Sequence, residues 1–159
     1  MKFIIANSED DYRVAALLFK EYAACLNIDL GFQQFEDELK HIQTVYAAVT
    51  GGIVLCKAGD VFIACAGIRK ISNEIAELKR MFVRTDFQQQ GIGKILLQEA
   101  ITLAGECGYS CIRLDTLDDM EPAIKLYNQF GFYKIPAYYH NPDERSLYFE
   151  KKYDQLQLL

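Results

Sequence analysis

The chain has 159 residues, of which 51% are hydrophobic and 25% charged, a composition that excludes a disordered chain and suits one folded domain. Lys and Arg number 17 against 22 Asp and Glu, and the net charge of −5 argues against nucleic acid as a partner. We therefore expect a single domain over residues 1–159.

The cysteines and the apolar runs favour a cytoplasmic protein. Five cysteines, an odd number without a CxxC pair, predict reduced thiols rather than disulfides. The first apolar stretch is short and is followed by acids, so no signal peptide is expected, and no apolar run is long enough to span a membrane. The only histidines, His41 and His140, lie apart from any cysteine pair, so we expect no metal.

Apolar spacing predicts a strand and two helices in the first third of the chain. Phe3–Ala6 is the predicted strand, and Asn7 or Ser8 can cap a helix that runs to Asn27 with acids in its first turn. A second helix is predicted from the apolar positions along one of its sides, which are Phe32, Phe35, Leu39, Ile42 and Tyr46.

Beyond Gly52 the apolar pattern changes to strands that later alternate with helices. Ala58-Gly59-Asp60 separates two apolar runs and predicts a β-hairpin. One helix should begin within Gln88–Lys94 and end near Gly105 to Gly108, and another should run from Pro122 to Phe130. The predicted strands are Ile53–Lys57, Val61–Ala66, Ile75–Val83, Cys111–Asp115, Phe132–Tyr133 and Ser146–Glu150. This order predicts an α/β or α+β domain with a mixed sheet.

The glycine-rich turn at residues 88–94, between a strand and a helix, is typical of an anion site. Gly91 and Gly93 let a ligand approach the backbone, and the free N–H groups of a first helical turn favour phosphate. The alternative is an ordinary helix start in which the glycines only ease a turn. The Walker and Rossmann patterns both fail, because Gln88, Ile95 and Leu96 stand where those motifs need Gly, Ser or Thr, and Gly.

Two motifs together resemble the GNAT superfamily of N-acetyltransferases. The first is Gln88-x-x-Gly91-x-Gly93, preceded by a strand that holds Glu77 and Met81-Phe82-Val83. The second is Ala123-x-x-Leu126-Tyr127-x-x-x-Gly131-Phe132. The element order extends the resemblance from Phe3 to Tyr153, and residues 77–83 and 138–142 are similar to one bacterial branch whose acceptors are mostly undefined.

The resemblance implies a GNAT fold with a mixed, mostly antiparallel central sheet, helices on both faces and a splayed cofactor cleft. It implies acetyl-CoA as co-substrate, with the backbone of Met81, Phe82 and Val83 pairing with the pantetheine arm. Backbone N–H groups of the loop should hold the pyrophosphate, and the cofactor-binding residues of the motif are Gln88, Gln89, Gln90, Gly91, Ile92, Gly93 and Lys94. Homodimers are frequent in the family, so a homodimer is possible.

Glu77 and Tyr127 are the predicted catalytic residues. A lysine-like amine must lose its proton before attack, which costs about 4–5 kcal/mol at pH 7 and makes a general base useful. Glu77 lies at the spacing before Gln88 at which histone-acetylating relatives carry their base; the alternative is a structural salt bridge, for instance with Lys79 or Arg80. Tyr127 matches the family's general acid, and the alternative is a core aromatic.

Two residues depart from the family pattern. Met120 stands where many relatives carry Asn, and Gln88 stands where Arg is common, which removes a charge from the phosphate site. Aromatic or histidine side chains could line an acceptor pocket or simply pack, namely Tyr22, Phe32, Tyr138, Tyr139 and His140.

The expected function is direct acetyl transfer to a primary amine of a small molecule or peptide. A non-catalytic acyl-CoA sensor or interaction module with the same fold is the alternative. Residues 69–94 hold six basic and three acidic residues, whereas the rest of the chain is acidic. This distribution predicts an anionic cofactor beside the basic segment and leans toward a cationic amine as acceptor.

Overall fold

The computed structural model describes residues 1–154, apart from the side chain of Phe32. A seven-stranded sheet runs through this part of the chain in the order β1-β2-β3-β4-β5-β7-β6. Its strands are β1 (Lys2–Ile5), β2 (Gly52–Ala58), β3 (Val61–Lys70), β4 (Ile75–Val83), β5 (Cys111–Leu117), β6 (Tyr133–Ile135) and β7 (Ser146–Lys152). Neighbouring strands are antiparallel except β4 and β5, which confirms the predicted mixed, mostly antiparallel sheet.

Helices cover both faces of the sheet, as predicted. Within residues 1–154 they are α1 (Glu9–Leu26), α2 (Phe35–Lys40), α3 (Ile42–Val45), α4 (Ile92–Glu106) and α5 (Glu121–Gln129). The buried sides of α4 and α5 share one apolar core with the sheet, and α1 to α3 share a second core on the other face. None of the helices in the described range combines the length and the apolar character that crossing a bilayer requires.

Local capping signals determine where α1 begins and where α5 ends. Ser8 forms a capping box with Asp11 at the start of α1, so Ser8 rather than Asn7 is the cap. Gly131 follows α5 with φ of 85°, a left-handed conformation that favours glycine.

The predicted continuous helix from Phe32 to Tyr46 is wrong. A 3-10 turn covers Gly31–Gln33, and α2 and α3 follow as separate short helices. The breaks lie at Gln34, whose φ is 56°, and at His41, whose φ and ψ are −116° and 31°. With these breaks, Phe35 and Ile42 pack into the second core, and the polar Glu38 between them is also buried, at 4% exposed.

The only parallel strand pair of the described sheet separates soon after it forms. β4 and β5 pair at Ile75–Cys111, Ala76–Ile112 and Glu77–Arg113, and the register ends there. β5 continues its pairing with β7 up to Leu117, while β4 continues against β3 up to Val83. The two strands therefore leave a gap in the sheet, and the family resemblance predicts a splayed cleft at this place.

Candidate active site

A bulge bends β4 where it leaves β5. Gly67 of β3 pairs with Lys79 and Cys65 pairs with Phe82, so Arg80 and Met81 both lie opposite one β3 residue. Arg80 has a φ of 57°, which is costly for a residue with a side chain and marks a backbone held in place by its surroundings. The bulge directs the edge of β4 into the gap.

The N-terminus of α4 offers backbone donors next to that edge. Gly91 is the N-cap with φ of 81° and no side chain caps the helix, so its first N–H groups are available to a ligand. An added Cβ at Gly91 would meet nothing within 4 Å, so the positive φ, and not crowding, favours glycine there. These features support the predicted anion site at Gln89 to Lys94.

The glutamines of the loop hold its shape. The Gln88 side chain donates to the Val83 carbonyl at 2.9 Å, and Gln90 donates to the Asp86 carbonyl at 3.3 Å. Gln88 therefore ties the loop to the end of β4, a role for this motif position that the sequence reasoning missed.

A cavity fills the gap between β4 and β5. Its lining includes the bulge, the start of α5, the end of α1 and the segments around residues 30 and 141. Polar groups from these elements meet in it, chiefly Tyr22, Gln33, Lys79, Arg80, Asp115, Thr116, Tyr127, Asn141, Asp143 and Ser146.

Tyr127 is the predicted catalytic residue that lines this cavity. Its residue is 7% exposed, and its ring packs on Phe132 and Phe149 at centroid distances of 5.7 and 6.3 Å. Burial, with smaller effects of Tyr22 and Asp115, raises the pKa of Tyr127 well above its usual range. The phenol is therefore protonated at neutral pH and can act as a proton donor.

Glu77, the other predicted catalytic residue, is engaged on both oxygens and does not belong to the cavity lining. Arg69 donates to Oε1 through Nε at 2.8 Å, and Tyr138 donates to Oε2 at 2.5 Å. The predicted alternative of a salt bridge holds, but its partner is Arg69 and not Lys79 or Arg80. Glu77 and Arg69 are directly opposed in the β3–β4 register, so a hairpin alignment of the sequence could have indicated the pair.

A second buried carboxylate extends the ion pairs beyond Glu77. Glu38 accepts from Arg80 at 2.9 and 3.2 Å and from Arg69 at 3.3 Å. Gln33 then joins the two cations of the bulge, because its Oε1 accepts from Arg80 at 2.7 Å and from Lys79 at 3.2 Å. Glu38 and Gln33 were missed by sequence reasoning, since no local pattern brings residues so distant in the chain together.

Lys79 and Asp115 bridge the gap itself. Lys79 Nζ lies 3.1 Å from Asp115 Oδ1, and Tyr139 donates to Asp115 Oδ2 at 2.8 Å. Asn141 and Gln33 donate to the Tyr139 hydroxyl at 3.3 and 3.0 Å. Burial and the neighbouring carboxylates raise the pKa values of Tyr138 and Tyr139 well above their usual range, so both remain donors.

The remaining acceptor-side residues separate into two groups. Tyr22 lines the cavity, and burial raises its pKa to about 12. His140 is exposed on the surface, and the side chain of Phe32 lies outside the described residues. Met120 caps α5 and lines the cavity, where Thr116 Oγ1 donates to its sulfur at 3.6 Å. A thioether therefore lines the cavity at the position where the family resemblance leads us to expect an amide.

Most of the basic excess in residues 69–94 is neutralised inside the protein. Arg69 and Arg80 pair with buried carboxylates, Lys79 pairs with the partly buried Asp115, and Arg84 pairs with Glu21. Lys70 and Lys94 are the exposed basic residues of this segment. The paired basic side chains therefore belong to the internal ion pairs near the cavity, and little unpaired positive charge is left to bind an anionic cofactor.

Residues 15–132 match the model of the acetyltransferase (GNAT) family, and the chain belongs to that family. An uncharacterised N-acetyltransferase of Schizosaccharomyces pombe is 32% identical over 141 residues, which cover 87% of this chain and 85% of that protein. The resemblance is thus not confined to a bacterial branch. The protein is an acetyltransferase of this family.

Solved structures share the fold at low identity. An acetyltransferase from Streptococcus agalactiae 2603 aligns with a TM-score of 0.77 and 18% identity, over 96% of this chain and 98% of that chain. The yncA protein of Salmonella typhimurium, solved with its cofactor acetyl-CoA, aligns with a TM-score of 0.73 and 15% identity over 98% and 95%. These likenesses confirm the predicted GNAT fold.

Proposed function

We propose that the protein transfers the acetyl group of acetyl-CoA to a primary amine of a small molecule or peptide, by direct attack in a ternary complex. The observation that carries the proposal is the cavity between β4 and β5, which combines the bulged strand edge with the Tyr127 phenol. The bound acetyl-CoA of the Salmonella neighbour supports the choice of co-substrate.

The cofactor would lie along the open edge of β4 and end at α4. Backbone groups of Met81, Phe82 and Val83 are the proposed partners of the pantetheine arm, and the N–H groups at residues 89–94 are the proposed partners of the pyrophosphate. One acceptor on this edge is already used, because Val83 accepts from Gln88. When bound, acetyl-CoA supplies the activated acetyl thioester.

Tyr127 would protonate the departing thiolate, since its phenol is protonated at neutral pH and lines the cavity. A base role for Glu77 remains a prediction. It requires that the substrate amine or a bridging water reach the carboxylate, which Arg69 and Tyr138 hold and which does not line the cavity.

Binding and turnover are tested in sequence. Isothermal titration should detect acetyl-CoA binding, and an amine library with thiol release as readout should then find an acceptor. No binding at millimolar acetyl-CoA would refute the proposal, and binding without turnover over a full library would favour the non-catalytic acyl-CoA sensor.

Tyr127→Phe isolates the proposed proton donor. We expect kcat to fall by about a hundredfold or more while acetyl-CoA affinity stays within threefold, because only the phenolic proton is lost. Tyr133→Phe is the matched control, since it removes a hydroxyl that donates to Glu150 on a strand outside the cavity lining. An unchanged kcat in Tyr127→Phe would remove the acid role.

The cytoplasm is the proposed location, supported by five cysteines that are all free. A single domain and a possible homodimer remain predictions from the sequence and the family resemblance.

A further inference from the structure

The buried charges beside the cavity divide into a closed group and an open pair. The closed group contains Arg69 and Arg80 with Glu38 and Glu77, two cations and two carboxylates. The open pair is Lys79 with Asp115. The distinction matters because a ligand can recruit only charges that it can reach.

The carboxylates of the closed group are buried, and their hydrogen bonds are made within the protein. Glu38 accepts three hydrogen bonds from the two arginines, and Glu77 is held by Arg69 and Tyr138. The side chains of Glu38 and Glu77 are 3% and 4% exposed, and neither residue lines the cavity. Arg80 is the member that lines the cavity, and its Nε, Nη1 and Nη2 donate to Glu38 and Gln33. The four charges therefore balance one another and form one wall of the cavity.

Lys79 and Asp115 line the cavity from opposite strands and keep unused hydrogen-bonding capacity. Lys79 has three donors, of which two reach Gln33 and Asp115. Asp115 accepts from Lys79 and Tyr139, which leaves lone pairs free, and its side chain is 14% exposed against 4% for Lys79. Gln33 and Tyr139 hold the two charged groups in position on either side of the gap.

An acceptor with an ammonium group alone fits this pair poorly. Its ammonium would bind Asp115 but would lie beside the Lys79 ammonium, and like charges in a poorly hydrated cavity repel strongly. A carboxylate on the same acceptor would pair with the Lys79 ammonium, which the ligand has separated from Asp115. A zwitterion therefore replaces one internal ion pair by two ligand contacts and leaves the total charge of the site unchanged.

We infer that the acceptor is a zwitterionic amine, with the α-amino acid as its simplest form, whose ammonium binds Asp115 and whose carboxylate binds Lys79. This inference rests on the proposed acetyl transfer and narrows its acceptor. In the reaction the ammonium loses one proton to solvent, the amine nitrogen forms a bond to the thioester carbon, and the carbon–sulfur bond breaks. Tyr127 gives the thiolate its proton and regains the second proton of the amine, so amide and CoA thiol are formed.

Matched acceptors test the inference directly. Each of the common amino acids is compared with its α-carboxamide by thiol release at saturating acetyl-CoA. We expect at least one amino acid to exceed its carboxamide by about a hundredfold in kcat/KM, because the carboxamide leaves Lys79 without a counter-charge. A carboxamide or a simple amine used as well as the best amino acid would overturn the inference but leave amine acetylation intact.

The double variant Lys79→Gln with Asp115→Asn tests the residues. It keeps polar side chains and removes both charges together, so no single buried charge is stranded. We expect the preference for amino acid over carboxamide to fall below threefold. The control Lys57→Gln with Asp60→Asn removes an exposed Lys–Asp pair at 3.9 Å in the β2–β3 hairpin and should keep the full preference.

The outcomes distinguish a failure of the zwitterion inference from a failure of the proposed acetyl transfer. A folded double variant, checked by circular dichroism and acetyl-CoA binding, that retains the preference would overturn the assignment to Lys79 and Asp115. If the double variant does not fold, the comparison of amino acid with carboxamide in the unaltered protein decides. If neither an amino acid nor its carboxamide is acetylated but another amine of the full library is, the inference is overturned and the proposed acetyl transfer stands. If no amine of the full library is acetylated although acetyl-CoA binds, the proposed function itself fails and the zwitterion fails with it.

Discussion

Glu38→Gln perturbs the carboxylate on which the wall of the cavity depends. Glu38 Oε2 accepts from Arg80 Nε at 2.9 Å and Oε1 accepts from Arg80 Nη2 at 3.2 Å, a bidentate geometry. Both side chains of this pair are 3% exposed. The substitution keeps the size of the side chain, but it removes the charge that balances the buried Arg80.

The burial of the pair sets the magnitude. Removing one partner of a buried ion pair costs about 3–5 kcal/mol, because the remaining charge is uncompensated. For a domain of this size, at about 2–4 °C per kcal/mol, this corresponds to a fall in Tm of about 6–20 °C. Glu38 also accepts from Arg69, so the upper half of the range is expected.

Glu21→Gln is the matched control. Glu21 accepts from Arg84 Nε at 2.8 Å and from Nη2 at 2.5 Å, the same bidentate chemistry, but the two side chains are 41% and 34% exposed. Solvent screens such a pair, and a loss of about 0–1 kcal/mol is expected.

Urea unfolding followed by far-UV circular dichroism at pH 7 measures both variants. We expect the free energy of unfolding to fall at least 2 kcal/mol further in Glu38→Gln than in Glu21→Gln, by the magnitudes for buried and exposed pairs. Equal losses in the two variants would refute the reasoning that burial makes Glu38 indispensable. The m-value should stay constant, since a change would indicate an altered unfolded state instead.

Two further predictions concern pH. If Glu77 is the base, Glu77→Gln should lower kcat most at low pH, where neutral amine is scarcest; a similar loss from pH 6 to 9 would argue against the base and leave the ion pair with Arg69 as the role of Glu77. The hydrogen bond from Arg84 lowers the pKa of Glu21 below its ordinary 4.5, so the stabilisation from this pair is full above that value and disappears as pH falls through the lowered pKa. Urea titrations of the protein and Glu21→Gln from pH 7 to 3 check this: their difference should shrink on acidification, and a growing difference would contradict it.

Local chemistry predicts most of the fold correctly. The turn at Gly59, the cap at Ser8 and the left-handed Gly131 each need only a few neighbouring residues, and all lie where the sequence pattern indicates. The predicted helix across residues 32–46 fails for the opposite reason. Its apolar spacing satisfies a helix, but a left-handed Gln34 redirects the chain so that Glu38 can reach the arginines of β3 and β4.

In the site, too, residues that belong to short sequence motifs were predicted, and contacts between distant segments were not. The loop at residues 88–94 and Tyr127 belong to short motifs, and the sequence identifies them. The ion pair of Glu77 with Arg69 could have been predicted from the sequence, since the two residues are cross-strand neighbours in the β3–β4 hairpin. The contacts of Glu38, Gln33 and Tyr139 join segments that meet only in the folded chain, so periodicity and spacing contain no signal for them.

The gap between β4 and β5 explains why the polar network lies where it does. After Glu77 the two strands no longer pair with each other, so the facing edges of β4 and β5 border the cavity. The closed arginine–glutamate group gives the cleft a rigid side that requires no ligand. Lys79 and Asp115 span the opening with charges that a ligand can replace. The buried charge therefore has two parts: the arginine–glutamate group, which is balanced within the protein, and the Lys79–Asp115 pair, which is the proposed site of acceptor selection.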